Sequence, residues 1–335
     1  MKQPTDRCAA QGSEEYVPYA CCTASISLRG EKQSETKDLH AWPISSVGLS
    51  RGAFLRVVST LILLAMMFWC SDALADDCSS GRKVDVGGHA LWMRSQGQGA
   101  PTIVFESGGG EDSSEWSNIE PVIRERAKVR TVVYDRAGLG KSDPDPRPYR
   151  IENEATALRR ALDHCDIHGP IVLVAHSYGG FISEILASKH KRVKGLVLVD
   201  ANIPSFFDDK EAALISARYT PLAEDLMKEK PDLGRNLFRQ DQAYPATARY
   251  MRDVHVPLNL PTVDITAEHT WVDAPVELAA MRRAHSDFVA ASPNRVAIFA
   301  KGSGHYVSRD RPDVVIDAVL HLISEVHERK SVLKR

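Results

Sequence analysis

The chain of 335 residues has no excess of either charge: 42 Lys and Arg stand against 44 Asp and Glu, a formal net charge of −2. That excludes the basic surface of a nucleic-acid binder and an acidic tail. It has no disordered or collagen-like bias, with 43% hydrophobic and 26% charged residues. Its apolar stretch from Val57 to Cys70, "VVSTLILLAMMFWC", is 14 residues long, where a bilayer span needs about 20. No cluster of ligands has zinc or calcium spacing, and no internal repeat is visible. A phosphate loop is missing too: "YDRAGLGKSD" (134–143) would need glycine at 135, and Asp135 is there. No cofactor is implied.

What is present divides near residue 75. Arg51 and Arg56 precede the apolar stretch, and Ala73 and Ala75 form an A-x-A exit before Asp76. Basic flank, short apolar core and small-residue exit predict a signal peptide over 51–75, and hence export to a periplasm or the medium. A membrane anchor through an uncleaved 57–70 segment is the alternative; neither Cys70 nor Cys78 follows a lipobox. Residues 1–50 lack a steady period and are expected to be non-native or disordered, with translation starting near Val47 or Leu49 at a non-AUG codon. Cleavage leaves two of six cysteines, Cys78 and Cys165, either paired or, for Cys165, simply buried. It removes seven basic and seven acidic residues, so the charge stays −2. About 260 residues remain, enough for one large domain with an insertion.

From Arg82 the pattern alternates. "RKVDVGGHALWMRSQG" predicts a hairpin turning at Gly87–Gly88. Apolar runs at 101–107, 129–135, 169–177 and 193–200 suit strands buried on both faces of a parallel sheet. Helical patterns at Ile119–Arg126, Ile151–Cys165 and Phe181–His190 lie between them. The alternation predicts a doubly wound α/β fold with helices on both faces. It stops over 203–259, a polar, helix-rich stretch punctuated by Pro204, Pro221, Pro231, Pro245 and Pro257, which predicts a cap of short helices. It resumes with strands at 261–267 and 294–300, a helix at 276–290 and a last helix with Val315, Val319, Leu322 and Val326 on one face. The core is thus 82–202 with 260–327.

"LVAHSYGGF" (173–181) places Ser177 where a buried strand meets a helix, between Ala175 and the pair Gly179–Gly180. Only small side chains fit so sharp a turn, which lifts the hydroxyl above the sheet and aims a helix N-terminus at it. A serine needs a base to take its proton. Of 12 histidines, His305 in "KGSGHYV" has the context: a loop after the last strand, before the last helix. His176 is expected to point away, as pocket wall or packing; His255, His269 and His285 lack comparable surroundings. The carboxylate that orients the base stays open between Asp200, at the end of "LVLVD", and Glu268 and Asp273, expected to follow the next strand. Asp200 is preferred, because "ITAEHT" contains no clean G-x-x-D turn. Gly109 in "ESGGGED", with Tyr178, is the candidate pair of N–H donors for an oxyanion.

"ESGGG", "DRAGLGKSD", "VAHSYGG", "LVLVDA" and "GSGHY", in this order, resemble the α/β-hydrolase superfamily over about residues 82–327. The resemblance implies an eight-stranded, mostly parallel sheet with a helical cap between strands six and seven. It implies that Ser177 attacks an acyl carbon with His305 as base, and it supports Asp200, since some members take their acid after strand six. Glu106–Ser107 stands where many relatives have His-Gly. Serine at the turn argues against dehalogenases and epoxide hydrolases, which need a carboxylate nucleophile. The absence of His-Gly-Gly-Pro-Gly weighs against a proline iminopeptidase. The expectation is an exported serine hydrolase that cleaves a small-molecule carboxylic ester through an acyl-enzyme. An amidase, lactonase or thioesterase with the same residues, or a non-catalytic binding protein, is the alternative. The only partner expected is that small-molecule ester, with no nucleic acid and no membrane anchor after cleavage; oligomeric state leaves no mark in the sequence.

Overall fold

The computed structural model describes residues 78–332. The expectations for 1–50 and 51–75 lie outside the described residues.

The long Val/Leu/Ile runs become the middle of an eight-stranded sheet. Its strands are β1 (Arg82–Asp85), β2 (Ala90–Gln96), β3 (Thr102–Glu106), β4 (Thr131–Tyr134), β5 (Ile171–His176), β6 (Val193–Val199), β7 (Thr262–His269) and β8 (Arg295–Gly304). They lie in the order β1-β2-β4-β3-β5-β6-β7-β8. The β1–β2 hairpin and the β2–β4 pair are antiparallel; all other pairs are parallel. The order reverses between β3 and β5, and the crevice beyond the carboxyl ends of strands at such a point is where ligands bind in open α/β sheets.

The period of two along these strands divides one sheet between two cores. Val104, Val132, Leu173, Ala175, Leu196 and Leu198 face α2 (Ile151–His164), α3 (Gly179–Lys189) and α7 (Pro275–Ala290). Ile103, Phe105, Val133, Val172, Val174, Val197, Val199 and Ile265 face α1 (Glu120–Ala127) and α8 (Pro312–Val332). Both faces are covered, so the strands read as continuous apolar runs rather than alternating ones. Each fully buried Leu, Ile or Val contributes about 1.5–3 kcal/mol.

The segment inserted between β6 and β7 carries α4 (Asp209–Glu229), α5 (Pro231–Gln242) and α6 (Tyr244–Met251). The expected short helices are here partly merged: Pro221 lies inside the 21-residue α4. The ring frees the carbonyl of Ala217, four residues back, and Ala217 is exposed, so water can serve that carbonyl. Pro231 and Pro245 instead sit in the first turns of α5 and α6, where the missing N–H is no loss. Cys78 and Cys165 form a disulfide across 87 residues. Such a bridge contributes about 2–4 kcal/mol, in the chain-entropy view by restricting the unfolded chain. Among the described residues no helix is long and apolar enough to cross a membrane.

Candidate active site

β5 ends at His176 and α3 begins at Gly179, so two residues make the whole turn. Ser177 takes it up in the left-handed region, at φ 51°. For a residue with a side chain this costs about 1–2 kcal/mol. The turn is held by the end of β6 and the loop after it: Ser177 N–H donates to Val199 O, and Asn202 N–H donates to Ser177 O. Gly179 is required by close approach, because a Cβ there would stand 2.6 Å from Ser107 O and from Glu106 Cγ.

Asp200 is the residue after β6 and also has positive φ, 42°. It is buried, and its Oδ1 accepts from Ala267 N–H at 2.9 Å while Oδ2 accepts from Thr270 Oγ1 at 2.7 Å. Oδ2 is also 2.7 Å from His305 Nδ1, and His305 Nε2 is 2.9 Å from Ser177 Oγ. A carboxylate only accepts, so the proton of the neutral ring belongs on Nδ1 and Nε2 is left to accept from the serine. Burial pushes the Asp200 carboxyl up, but the hydrogen bond and charge of His305, with Ala267 and Thr270, hold it below the ordinary range. Burial also lowers His305, and the charge of His176 adds to this against the pull of Asp200. The stable state at neutral pH is therefore an ionised Asp200 beside a neutral imidazole, and only the neutral imidazole can take a proton.

Glu268 and Asp273 do not join this chain. β7 runs on to His269, because its pairing with β8 continues to His269 opposite Gly304. Glu268 therefore lies within the strand rather than after it, and its Oε2 accepts from Gly302 N–H. Asp273 is exposed.

His176, expected as wall or packing, is buried and ionically engaged. Its Nε2–H donates to His305 O at 3.0 Å, and its Nδ1 lies 2.7 Å from Glu115 Oε1, an ion-pair contact rather than an aligned hydrogen bond. Burial alone would lower His176; Glu115 outweighs it and raises it. Glu115 in turn is pushed up by burial but held below the ordinary range by His176, Gly108 N–H and Ser308. The Glu115 carboxylate thus favours the charged form of this ring, whose centroid is 4.6 Å from that of His305.

The loop after β3 closes the other side. A Cβ on Gly108 would stand 2.7 Å from His176 Nδ1 and 3.5 Å from Ser177 Cβ, so this backbone passes directly beside the serine. Gly108 N–H is taken by Glu115 Oε2 at 2.9 Å. No acceptor among the described residues takes the N–H of Gly109 or of Tyr178. A Cβ on Gly109 would be 3.6 Å from Tyr178 Cβ and 3.3 Å from the side-chain nitrogen of Gln240, a buried residue of α5. Glu115, Arg136 and Gln240 carried no motif signal for this place. Only "DRAGLGKSD" pointed at Arg136, as a loop rather than as a partner of the site. Among the described residues no group of three or more His, Cys, Asp or Glu could hold a metal.

The sequence profile of the alpha/beta hydrolase family matches residues 103–318. The Bacillus subtilis protein YqjL, uncharacterised, is 27% identical over 234 residues, 66% of this chain and 82% of its own length. A cis-3-alkyl-4-alkyloxetan-2-one decarboxylase of Xanthomonas campestris is 38% identical over 82 residues, 22% of this chain and 27% of that enzyme. Other curated relatives are matched over 22% and 17% of their length. Among solved structures, an esterase from Thermogutta terrifontis superposes with a TM-score of 0.52 at 21% identity, over 74% of this chain and 99% of that one. At that identity the likeness concerns the fold alone. The family profile covers more than half of the chain, and the chain belongs to the alpha/beta hydrolase family.

Proposed function

We propose that this hydrolase is a serine esterase cleaving a small-molecule carboxylic ester through an acyl-enzyme. The observation that carries the reading is the unbroken chain Ser177 Oγ, His305, Asp200, with links of 2.9 and 2.7 Å. In this reading Ser177 Oγ attacks the ester carbonyl carbon as its proton passes to His305 Nε2. Asp200 stabilises the imidazolium that forms, and general-base help of this kind contributes about 10²–10⁴-fold. The carbonyl oxygen, now an anion, takes the N–H groups of Gly109 and Tyr178; one such donor contributes about 2.7–4 kcal/mol. His305 returns the proton to the departing alcohol. Water then repeats the sequence on the acyl-serine and releases the acid. Amide, lactone and thioester cleavage would use the same atoms, and the partial relative named for an oxetan-2-one keeps the lactone in view.

We also propose export. The signal-peptide pattern over 51–75 supports it, and so does the Cys78–Cys165 disulfide, since such bridges persist in oxidising compartments.

A fluorophosphonate probe should label the folded protein at Ser177, and p-nitrophenyl esters should turn over faster than the matching anilides. Asp200→Asn should lose about 10³–10⁴ in kcat, while Glu268→Gln and Asp273→Asn stay within about threefold. An unlabelled serine would favour a binding protein, and a larger loss at Glu268 or Asp273 would move the acid there.

The base must be neutral, so kcat/KM should fall as pH drops through the His305 pKa. That acid limb should lie below the ordinary histidine value of about 6.5, because burial and the His176 charge lower it. His176→Gln removes the neighbouring cation, so the limb should move upward; a shift downward would contradict this electrostatic account.

For export, N-terminal sequencing of protein recovered outside the cytoplasm should begin at Asp76. Protein retained inside with 51–75 intact would refute it.

A further inference from the structure

Arg136 follows β4 in "DRAGLGKSD" and is 4% exposed; its partner Glu106, the last residue of β3, is fully buried. The guanidinium Nη1 donates to Glu106 Oε1 at 2.6 Å and to Ser107 O, and Nη2 donates to Gly108 O at 2.5 Å. Tyr134 OH closes the other side of Glu106. Burial pushes the Glu106 carboxyl up against the pull of Arg136. A guanidinium is never neutral in a protein, however, so at 2.6 Å Glu106 serves as its counter-ion. A cation buried this deeply is expensive to hold, and its two remaining bonds go to the backbone of the loop beside Ser177.

The peptide units of that loop can be followed one at a time. Ser107 O is held by Arg136, and Gly108 N–H by Glu115. Gly108 O is held by Arg136 Nη2, with Glu111 N–H as a second donor at 3.2 Å. The Gly108–Gly109 peptide is trans. In a trans unit the C=O and N–H point in opposite directions. Drawing Gly108 O toward the buried guanidinium therefore turns Gly109 N–H the other way, out of the floor. A full positive charge on the carbonyl also polarises the unit and makes its N–H a stronger donor.

We propose that Arg136 is a positioning residue for the oxyanion site: by gripping Ser107 O and Gly108 O it aims and polarises the Gly109 N–H, with Glu106 present to neutralise it. The inference rests on the serine-hydrolase reading. The loop that begins Glu106–Ser107 is in this view oriented by an ion pair of its own.

The test compares Arg136→Met/Glu106→Gln, which removes both charges and leaves neither unpaired, with Glu106→Gln and Arg136→Lys. The double variant should melt cooperatively and lose about 10–10²-fold in kcat, up to the loss expected for a misplaced group and short of the roughly 10²–10³-fold of a removed oxyanion donor. Its KM should change less than about threefold. Its affinity for an alkyl boronic acid, which forms a tetrahedral adduct on the serine, should weaken by the same factor as kcat/KM. Glu106→Gln keeps the guanidinium on its carbonyls and should lose less than the double variant. Arg136→Lys keeps the charge without the fork and should fall between, with the acid limb of the pH profile unmoved. A folded double variant with kcat within threefold of wild type, a loss carried by KM, or an unchanged boronate affinity would overturn the proposal. If the double variant does not fold, Arg136→Lys at wild-type kcat overturns it. Fluorophosphonate labelling of the wild type reports on the serine reading alone: failure there is failure of that reading, whatever the Arg136 variants do.

Discussion

The candidate site depends on one strained residue. Ser177 occupies the left-handed region at φ 51° and stays there because the end of β6 and the loop after it grip it from both sides, Val199 O on its N–H and Asn202 N–H on its carbonyl. The same strand then delivers Asp200, itself at φ 42°, whose N–H donates to Ile265 O of β7. The parallel register thus sets serine and carboxylate at one edge, and His305 enters where β8 ends. Relaxing the turn would lower the hydroxyl toward the sheet and break the chain at its first link.

Two buried ion pairs and the buried Asp200–His305 hydrogen bond surround that turn, and each makes its own contribution. Asp200 accepts from His305 and fixes its tautomer. Glu115 balances His176 and holds Gly108 N–H with its other oxygen. Glu106 balances Arg136, which holds two carbonyls of the same loop. Ions this deeply buried are poor stabilisers of a fold compared with apolar side chains of similar size. Their concentration around Ser177 is more readily understood as orientation of backbone and imidazole than as stability.

The alternation of strands and helices was readable because both faces of this sheet are covered, which leaves uninterrupted Val/Leu/Ile runs such as 193–200. The turn at Ser177 was readable because only Ala175, Gly179 and Gly180 fit around it. The end of β7 was not: nothing in "ITAEHT" reveals that pairing with β8 continues to His269 and encloses Glu268. Pro221 read as a boundary because the chain alone does not say whether the carbonyl it frees will face water. Arg136 with Glu106, and Glu115 with His176, are contacts across 30 and 61 residues. Local pattern carries no information at such separations. Gln240 reaches Gly109 only through the docking of α5, which composition does not encode.

The central claim is that Ser177 becomes acylated while two backbone N–H groups hold the resulting oxyanion. A crystal structure of the protein inactivated by an alkyl phosphonate tests it most directly. The account predicts phosphorus bonded to Ser177 Oγ, with the phosphoryl oxygen about 2.7–3.1 Å from the nitrogens of both Gly109 and Tyr178 and His305 still joined to Asp200. A phosphonate carried by another residue, or one on Ser177 whose oxygen points to solvent away from both amides, would contradict it.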